Sequence, residues 1–377
     1  MPARPGSTTR PPEAASTRAG RLGYLDWLRG LAVLIMMEAH AFDAWTQPAA
    51  KAGVVYSRLM MLGGMGAPLF LFLAGVAVSL AGAAHLRRGR STAEASRRIQ
   101  RRGWQIFGYA FLLRLQSFVL GGFYSPVGLL KVDILNVMGP SIAATAALWG
   151  AAASRQRRAA LLVVVTLAAT TLTPAIRASP VFGWLPDPIE WYIRPAAGHT
   201  NFTMFPWGAF VSAGAVLGLA LDGAAGRWSA SRVQAWVAGT GLVLAGASYW
   251  ASWQPPLFRD SSFWTTSPTY FGLRVGLMLL AVATAWAWCS RPWRAPGRAS
   301  PLEEMGLGSL FVYWVHLELV YGIGGRPLRQ RLTLEQSAIA FLALCVVMYG
   351  LLALWNATRE RRVRWWGSTV SRFRSAT

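Results

Sequence analysis

The sequence predicts an all-α fold of the polytopic membrane kind, an integral membrane protein with about ten transmembrane helices. Three observations lead there. Of 377 residues 54% are hydrophobic and only 14% are charged, a balance too apolar for a soluble domain of this length. Apolar runs of about 20 residues, enough to cross roughly 30 Å of hydrocarbon, recur along the chain. Between them lie short arginine clusters that carry much of the net charge of +22. In a soluble chain such a charge would point to nucleic acid. Confined to the connections, it reads as positive-inside topology, and no nucleic-acid partner is expected.

Residues 1–20, rich in Pro, Arg, Thr and Ala, read as a disordered cytoplasmic tail, and no apolar core of a signal peptide precedes Leu22. A membrane domain over 21–357 follows, and 358–377 form a basic cytoplasmic tail. The expected spans are 22–45, 59–82, 104–121, 128–150, 159–176, 203–222, 234–253, 270–290, 306–325 and 335–355, with a long Pro-rich connection from Pro174 to Asn201. The loop from Arg87 to Arg102 holds seven arginines, Arg155 to Arg158 three and Arg291 to Arg298 three. With the basic tail these regions belong inside, which places both termini in the cytoplasm and requires an even number of spans. Arg326, Arg329 and Arg331 dissent, since their loop would lie outside. The expected location is a cytoplasmic membrane of the bacterial type, with the lipid bilayer as the obligatory partner; the pattern does not indicate an oligomeric state. Cys289 and Cys345 both fall in apolar runs, as small hydrophobes rather than disulfide or metal partners.

The first span raises the functional question, because it keeps Asp26, Arg29, Glu38 and His40 where each ionisable group costs a few kcal/mol or more. At about 100° per residue, Arg29 and His40 lie at about 300° and 320° from Asp26, so the three share a stripe about 60° wide, while Glu38 falls at about 120°. Glu38 then needs a separate partner or a place near the outer interface. In the ninth span, Ser309, Tyr313 and His316 likewise fall on one face. Both spans run from inside to outside, and the two histidines are expected at one depth. A lone intramembrane histidine is as often a structural hydrogen-bond donor. Two at one depth, on two polar stripes, point to chemistry. Arg114 in the third span is expected level with the histidines, and Lys131 with Asp133 in the fourth are expected to pair as structure. His85 and His199 have no metal-ligand spacing, so no metal is expected, and "GLGSL" and "GGMGAP" suit helix packing rather than nucleotide binding. Two function classes remain open on the residues alone: an enzyme with a catalytic histidine, and a proton-coupled transporter or lipid flippase whose stripe relays protons or binds an anion.

Asp26-x-x-Arg29-Gly30 followed by His40 resembles the opening helix of the transmembrane acyltransferase superfamily, acyltransferase-3 proteins included, and Ser309, Tyr313 and His316 resemble their late S-x-x-x-Y-x-x-H segment. The stretches "RLGYLDWLRGLAVLIM", "GAPLFLFLAGVAVSL", "DILNVMGPS" and "FPWGAFVSAGAVLG" are more similar to the heparan-alpha-glucosaminide N-acetyltransferase-like branch, also called the domain-of-unknown-function family 1624. The resemblance implies acyl transfer from acyl-CoA, acetyl-CoA in particular, to a sugar or similar acceptor, a glycan or a lipid-linked molecule, through an essential intramembrane histidine. In the lysosomal enzymes of that branch an amide stands at the place of His40 and the active histidine lies farther along, near Lys51 here; His40 fits the acyltransferase-3 pattern better. The chemistry needs a base or nucleophile, oxyanion stabilisation and a cation for the donor's phosphates. His40 supplies the first. His316, Tyr313 and Ser309 are expected to donate to the oxyanion or fix the His40 tautomer, and Arg29, oriented by Asp26, with Arg114, to hold the donor.

Overall fold

The computed structural model describes residues 22–121, 126–258, 261–291 and 299–374, the last fifteen by backbone alone. The segment 1–20, the arginines at 294 and 298 and the end of the chain lie outside the described residues. The chain is helical, and among the described residues there is no strand, only two isolated bridges. The long helices are α1 (Gly23–Trp45), α2 (Val54–Gly63), α3 (Gly66–Arg87), α4 (Thr92–Gly121), α5 (Ile134–Ala151), α6 (Arg155–Thr171), α7 (Ala209–Ala224), α8 (Ala230–Ala251), α9 (Pro268–Cys289), α10 (Pro301–Leu307), α11 (Ser309–Tyr321) and α12 (Leu334–Arg374). Every expected span overlaps one or two of them.

Among the described residues, five helical segments are long and apolar enough to cross a bilayer: Val54–Arg87, Ile134–Ala151, Met204–Ala224, Pro268–Cys289 and Leu334–Arg359. α11 is apolar but shorter. α1 is 23 residues long, yet its Asp26, Arg29, Glu38, His40 and Asp43 dilute its apolarity. It is sheltered instead, packed by α2, α3, α9, α10, α11 and α12.

Helix starts follow local chemistry. Ser154, Ser229, Ser267 and Ser300 each cap the helix they precede, and Pro268 and Pro301 occupy first-turn positions where no backbone donor is needed. Asp133 caps α5 in a reciprocal box with Asn136. That removes Lys131 and Asp133 from the fourth span, which begins after them. The arginine-rich stretch expected as a loop is also mostly helix. Ser91 accepts from the Glu94 amide, and Glu94 pairs with Arg98 at 3.0 Å across one turn, so α4 starts at Thr92. The second span is divided at Gly64 and Met65, and the ninth at Gly308, between α10 and α11. The connection from Pro174 onward folds into short turns, pinned by Arg177, which donates to Thr203 Oγ1 at 2.7 Å and to the Phe205 carbonyl at 2.9 Å. The backbone of α12 runs on through 358–374, the stretch read as a tail.

Small residues let the backbones meet, as suits helices that gain little from excluding water in lipid. Gly214 and Gly218 of α7 face the carbonyls of Phe72 and Val76 on α3. Gly30 and Gly306 make the same kind of seam between α1 and α10: a methyl group on either would overlap the carbonyl of Leu302 or of Asp26.

Candidate functional site

α1 and the α10–α11 run lie side by side in parallel. The Glu303 carboxylate lies beside Gly23, Gly306 meets Gly30, His316 meets His40, and Trp45 Nε1 donates to the Val320 carbonyl at 3.3 Å. The C-terminal end of α1 is held further by Thr46, which donates to Ser337 Oγ at 2.9 Å, and by the amides of Arg331 and Leu332 on the Trp45 carbonyl, each at 3.0 Å. This register brings the two histidines into contact. His40 Nδ1 lies 2.9 Å from His316 Nε2, and the rings are nearly parallel at an interplanar angle of 10°.

The partners assign the protons. The Val312 carbonyl, 2.8 Å from His316 Nδ1, can only accept, so Nδ1 of His316 carries a hydrogen. With neutral rings, His316 Nε2 then presents its lone pair to the hydrogen on His40 Nδ1. The remaining nitrogen, Nε2 of His40, is left with a free lone pair. His316 is fully buried, whereas His40 is partly exposed. The ring that ends the relay is therefore the less buried of the two.

Around the pair, Tyr313 is buried and meets His316 edge to face, with ring centroids 5.7 Å apart. Toward the C-terminal ends of α1 and α11, Tyr321 meets His40 in the same way at 5.6 Å, and its hydroxyl donates to Asp43 Oδ2 at 3.3 Å. Lys51 stands 3.5 Å from the other Asp43 oxygen. Tyr321 and Asp43 were not among the residues singled out by sequence. Asp43 lies one turn from His40 and was legible on that ground; Tyr321 falls about 140° from His316 by helical periodicity, off its stripe. The sequence also gives no hint of Gln116, which accepts from Trp314 Nε1 at 2.7 Å and ties α4 to α11.

The other expected site residues are placed apart. Arg29 pairs with Asp26 at 2.8 Å, one turn away on α1 and eleven residues, about 16 Å of rise, below His40. Ser309 opens α11, about 10 Å of rise below His316. Arg114 pairs at 2.7 Å with Asp133. This corrects the expected Lys131–Asp133 pair: the α4–α5 hairpin carries Arg114 back to the capping carboxylate. Tyr313 lies within electrostatic reach of both. Glu38, on the far face of α1, is only 6% exposed beside Gly63 of α2, and neither oxygen has a hydrogen-bond partner among the described residues. Among the described residues no hydrogen-bonding partner meets it. His85 contacts Arg90 at 2.6 Å and His199 stacks on Trp191 at 4.3 Å. Among the described residues no three His, Cys, Asp or Glu side chains gather as metal ligands.

The family profile described as heparan-alpha-glucosaminide N-acetyltransferase, catalytic, matches residues 21–255, more than half of the chain. The chain belongs to that family. The match runs through α1 to α8 and so includes Asp26, Arg29, His40 and Arg114, whereas α11 with His316 lies beyond it. The family assigns the protein in general terms to the membrane acetyltransferases, and its apolar helices fit a membrane location. No curated protein gives a match.

Proposed function

We propose that the protein moves an acyl group, acetyl by likeness to its family, from acyl-coenzyme A to a hydroxyl or amine of a sugar, glycan or lipid-linked acceptor. The observation that carries this is the relay from Val312 through His316 to His40, which leaves an imidazole lone pair on the less buried ring in a protein of an acetyltransferase family. His40 Nε2 takes the proton of the acceptor O–H or N–H as that atom attacks the thioester carbonyl. The new C–O or C–N bond forms, the C–S bond breaks, and the thiolate leaves with the proton His40 has taken. His316 positions His40 and disperses the charge that develops on it. The alternative in which His40 Nε2 itself takes the acyl group uses the same lone pair.

Arg29, partnered by Asp26 and partly exposed, is assigned to the donor's phosphates, with its depth below His40 spanned by the thioester arm. Arg114, paired with Asp133 within electrostatic reach of Tyr313, is assigned as a second contact for the donor, and Ser309 lies on the same face between the two levels. The acceptor enters from the opposite end, past Asp43, Lys51 and Tyr321. The ten helical segments are assigned as ten spans, with both termini and the Arg87–Arg102 region on the cytoplasmic face of a bacterial membrane.

Incubation of the purified protein with radiolabelled acetyl-coenzyme A and candidate sugars tests the reading. Transfer that depends on His40 supports it; label moved equally well by His40→Ala overturns the mechanism. Efficient labelling of Glu94→Cys by an impermeant thiol reagent from outside intact cells would overturn the orientation.

A further inference from the structure

Away from the histidines, a crevice of about 380 Å³ runs between α6, α7 and the α8–α9 hairpin. Its floor is apolar and buried, with Phe72, Leu217, Leu221 and Val275 all less than 9% exposed, while its rim, Leu167 and Trp236 among it, is open. Small side chains give the depth: Ala213, Ala220 and Ala224 of α7 line it. Of its two hydroxyls, Thr166 is already engaged, donating to the Leu162 carbonyl and sharing a hydrogen with Ser212 at 2.7 Å. Such walls offer nothing to a sugar or a nucleotide and suit an alkyl chain.

One end of the crevice differs. Trp228 and Trp236 stand 6.4 Å apart there, the kind of aromatic pair that settles at a membrane–water boundary. The Arg155 guanidinium lies against Gly223, next to the lining residue Ala224, and the exposed Arg227 and Arg232 directly precede the lining residues Trp228 and Val233 in the chain. Nearby Arg87 is neutralised by Asp222, but Arg155, Arg227 and Arg232 have no carboxylate partner among the described residues. Positional bias of arginine explains their presence on this side. What sets them apart is that each lies within one residue of the crevice lining.

We propose that the crevice seats an acyl chain of an anionic phospholipid of the surrounding bilayer, with the headgroup phosphate held by Arg155, Arg227 and Arg232. The alkyl chain covers the floor that hydrocarbon would otherwise fill loosely, and the phosphate supplies the missing negative charge. This site is independent of the histidine relay and of the reaction assigned to it.

Native mass spectrometry of the full-length protein, delipidated and re-exposed to dioleoyl phosphatidylglycerol or dioleoyl phosphatidylcholine, tests the proposal. One phosphatidylglycerol should be retained with a preference of about tenfold or more over phosphatidylcholine, from about 1 kcal/mol per arginine. Arg227→Gln with Arg232→Gln, both on exposed positions, should reduce the preference, and Ala220→Phe, which fills the crevice from an exposed position, should abolish retention of the lipid. Equal retention of the two lipids by the wild-type protein would overturn the headgroup assignment, and unchanged retention by a monodisperse Ala220→Phe protein would overturn the seat. If Ala220→Phe does not yield monodisperse protein, phosphatidylglycerol carrying a diazirine on its acyl chain decides: crosslinks between residues 213 and 237 support the site, and crosslinks confined to other segments overturn it.

Discussion

Helix α1 carries two polar clusters built on opposite plans. Asp26 and Arg29 find each other within one turn of the same helix and remain partly exposed. His40 finds its partner 276 positions later, on α11, and that partner is wholly buried. A local pair asks nothing of the tertiary fold, so it says little about what the fold was built to hold. A buried pair that needs two helices in register is maintained only if the whole α1–α10–α11 seam is right. Under the proposed function, the upper cluster positions the reaction and the lower one supplies charge.

The comparison breaks most sharply at His40. His40→Ala should lower acyl transfer by about 10²- to 10⁴-fold, the usual contribution of a general base, with donor affinity retained. His316→Ala should cost less, because His40 keeps its lone pair and loses only its orientation. A His316→Ala protein as inactive as His40→Ala at every pH would move the reacting group to α11. The seam comes next: Gly306→Ala, whose methyl would meet the Asp26 carbonyl, should destabilise the folded protein by about 1–3 kcal/mol, read as a lower midpoint of thermal unfolding in detergent.

Glu38 supplies the control on the opposite face. Since its carboxylate oxygens are buried without hydrogen bonds, Glu38→Met should raise stability, by up to about 1–3 kcal/mol, and leave transfer close to wild type. Loss of activity in a stable Glu38→Met protein would give that carboxylate a part in the chemistry. The smallest effect on stability belongs to Arg29: its Ala variant should change it by less than about 1 kcal/mol, as partly exposed ion pairs do, while weakening coenzyme A binding, with Arg29→Lys recovering only part. Unchanged coenzyme A affinity in Arg29→Ala would reduce the lower cluster to a structural pair.

The sequence made α1 and α11 legible for a physical reason. Helical periodicity alone puts Asp26, Arg29 and His40 on one stripe and Ser309, Tyr313 and His316 on another, and parallel spans bring like depths together. What it concealed depends on contacts between distant segments. Arg114 reaches Asp133 only through the α4–α5 hairpin, and Gln116 meets Trp314 only once α4 lies against α11. The capping box at Asp133 and Asn136 was readable in the local sequence, and reading it would have removed Asp133 from the fourth span. Gly308, which interrupts the ninth, lies among residues apolar enough to hide the break.

The span of 276 residues between His40 and His316 also has a duration. At about 5–20 residues per second, the ribosome needs between about 14 and about 55 s to make the second histidine after the first. For most of that interval α1 has neither the partner of its imidazole nor the far side of its glycine seam. It is a poor candidate for early, independent insertion. An assembly order in which the first helix waits, shielded by the insertion machinery, until the ninth expected span emerges follows from the geometry. A ribosome arrested before residue 301 should leave α1 in crosslinking contact with the insertion machinery, and one arrested with residue 337 clear of the exit tunnel should not.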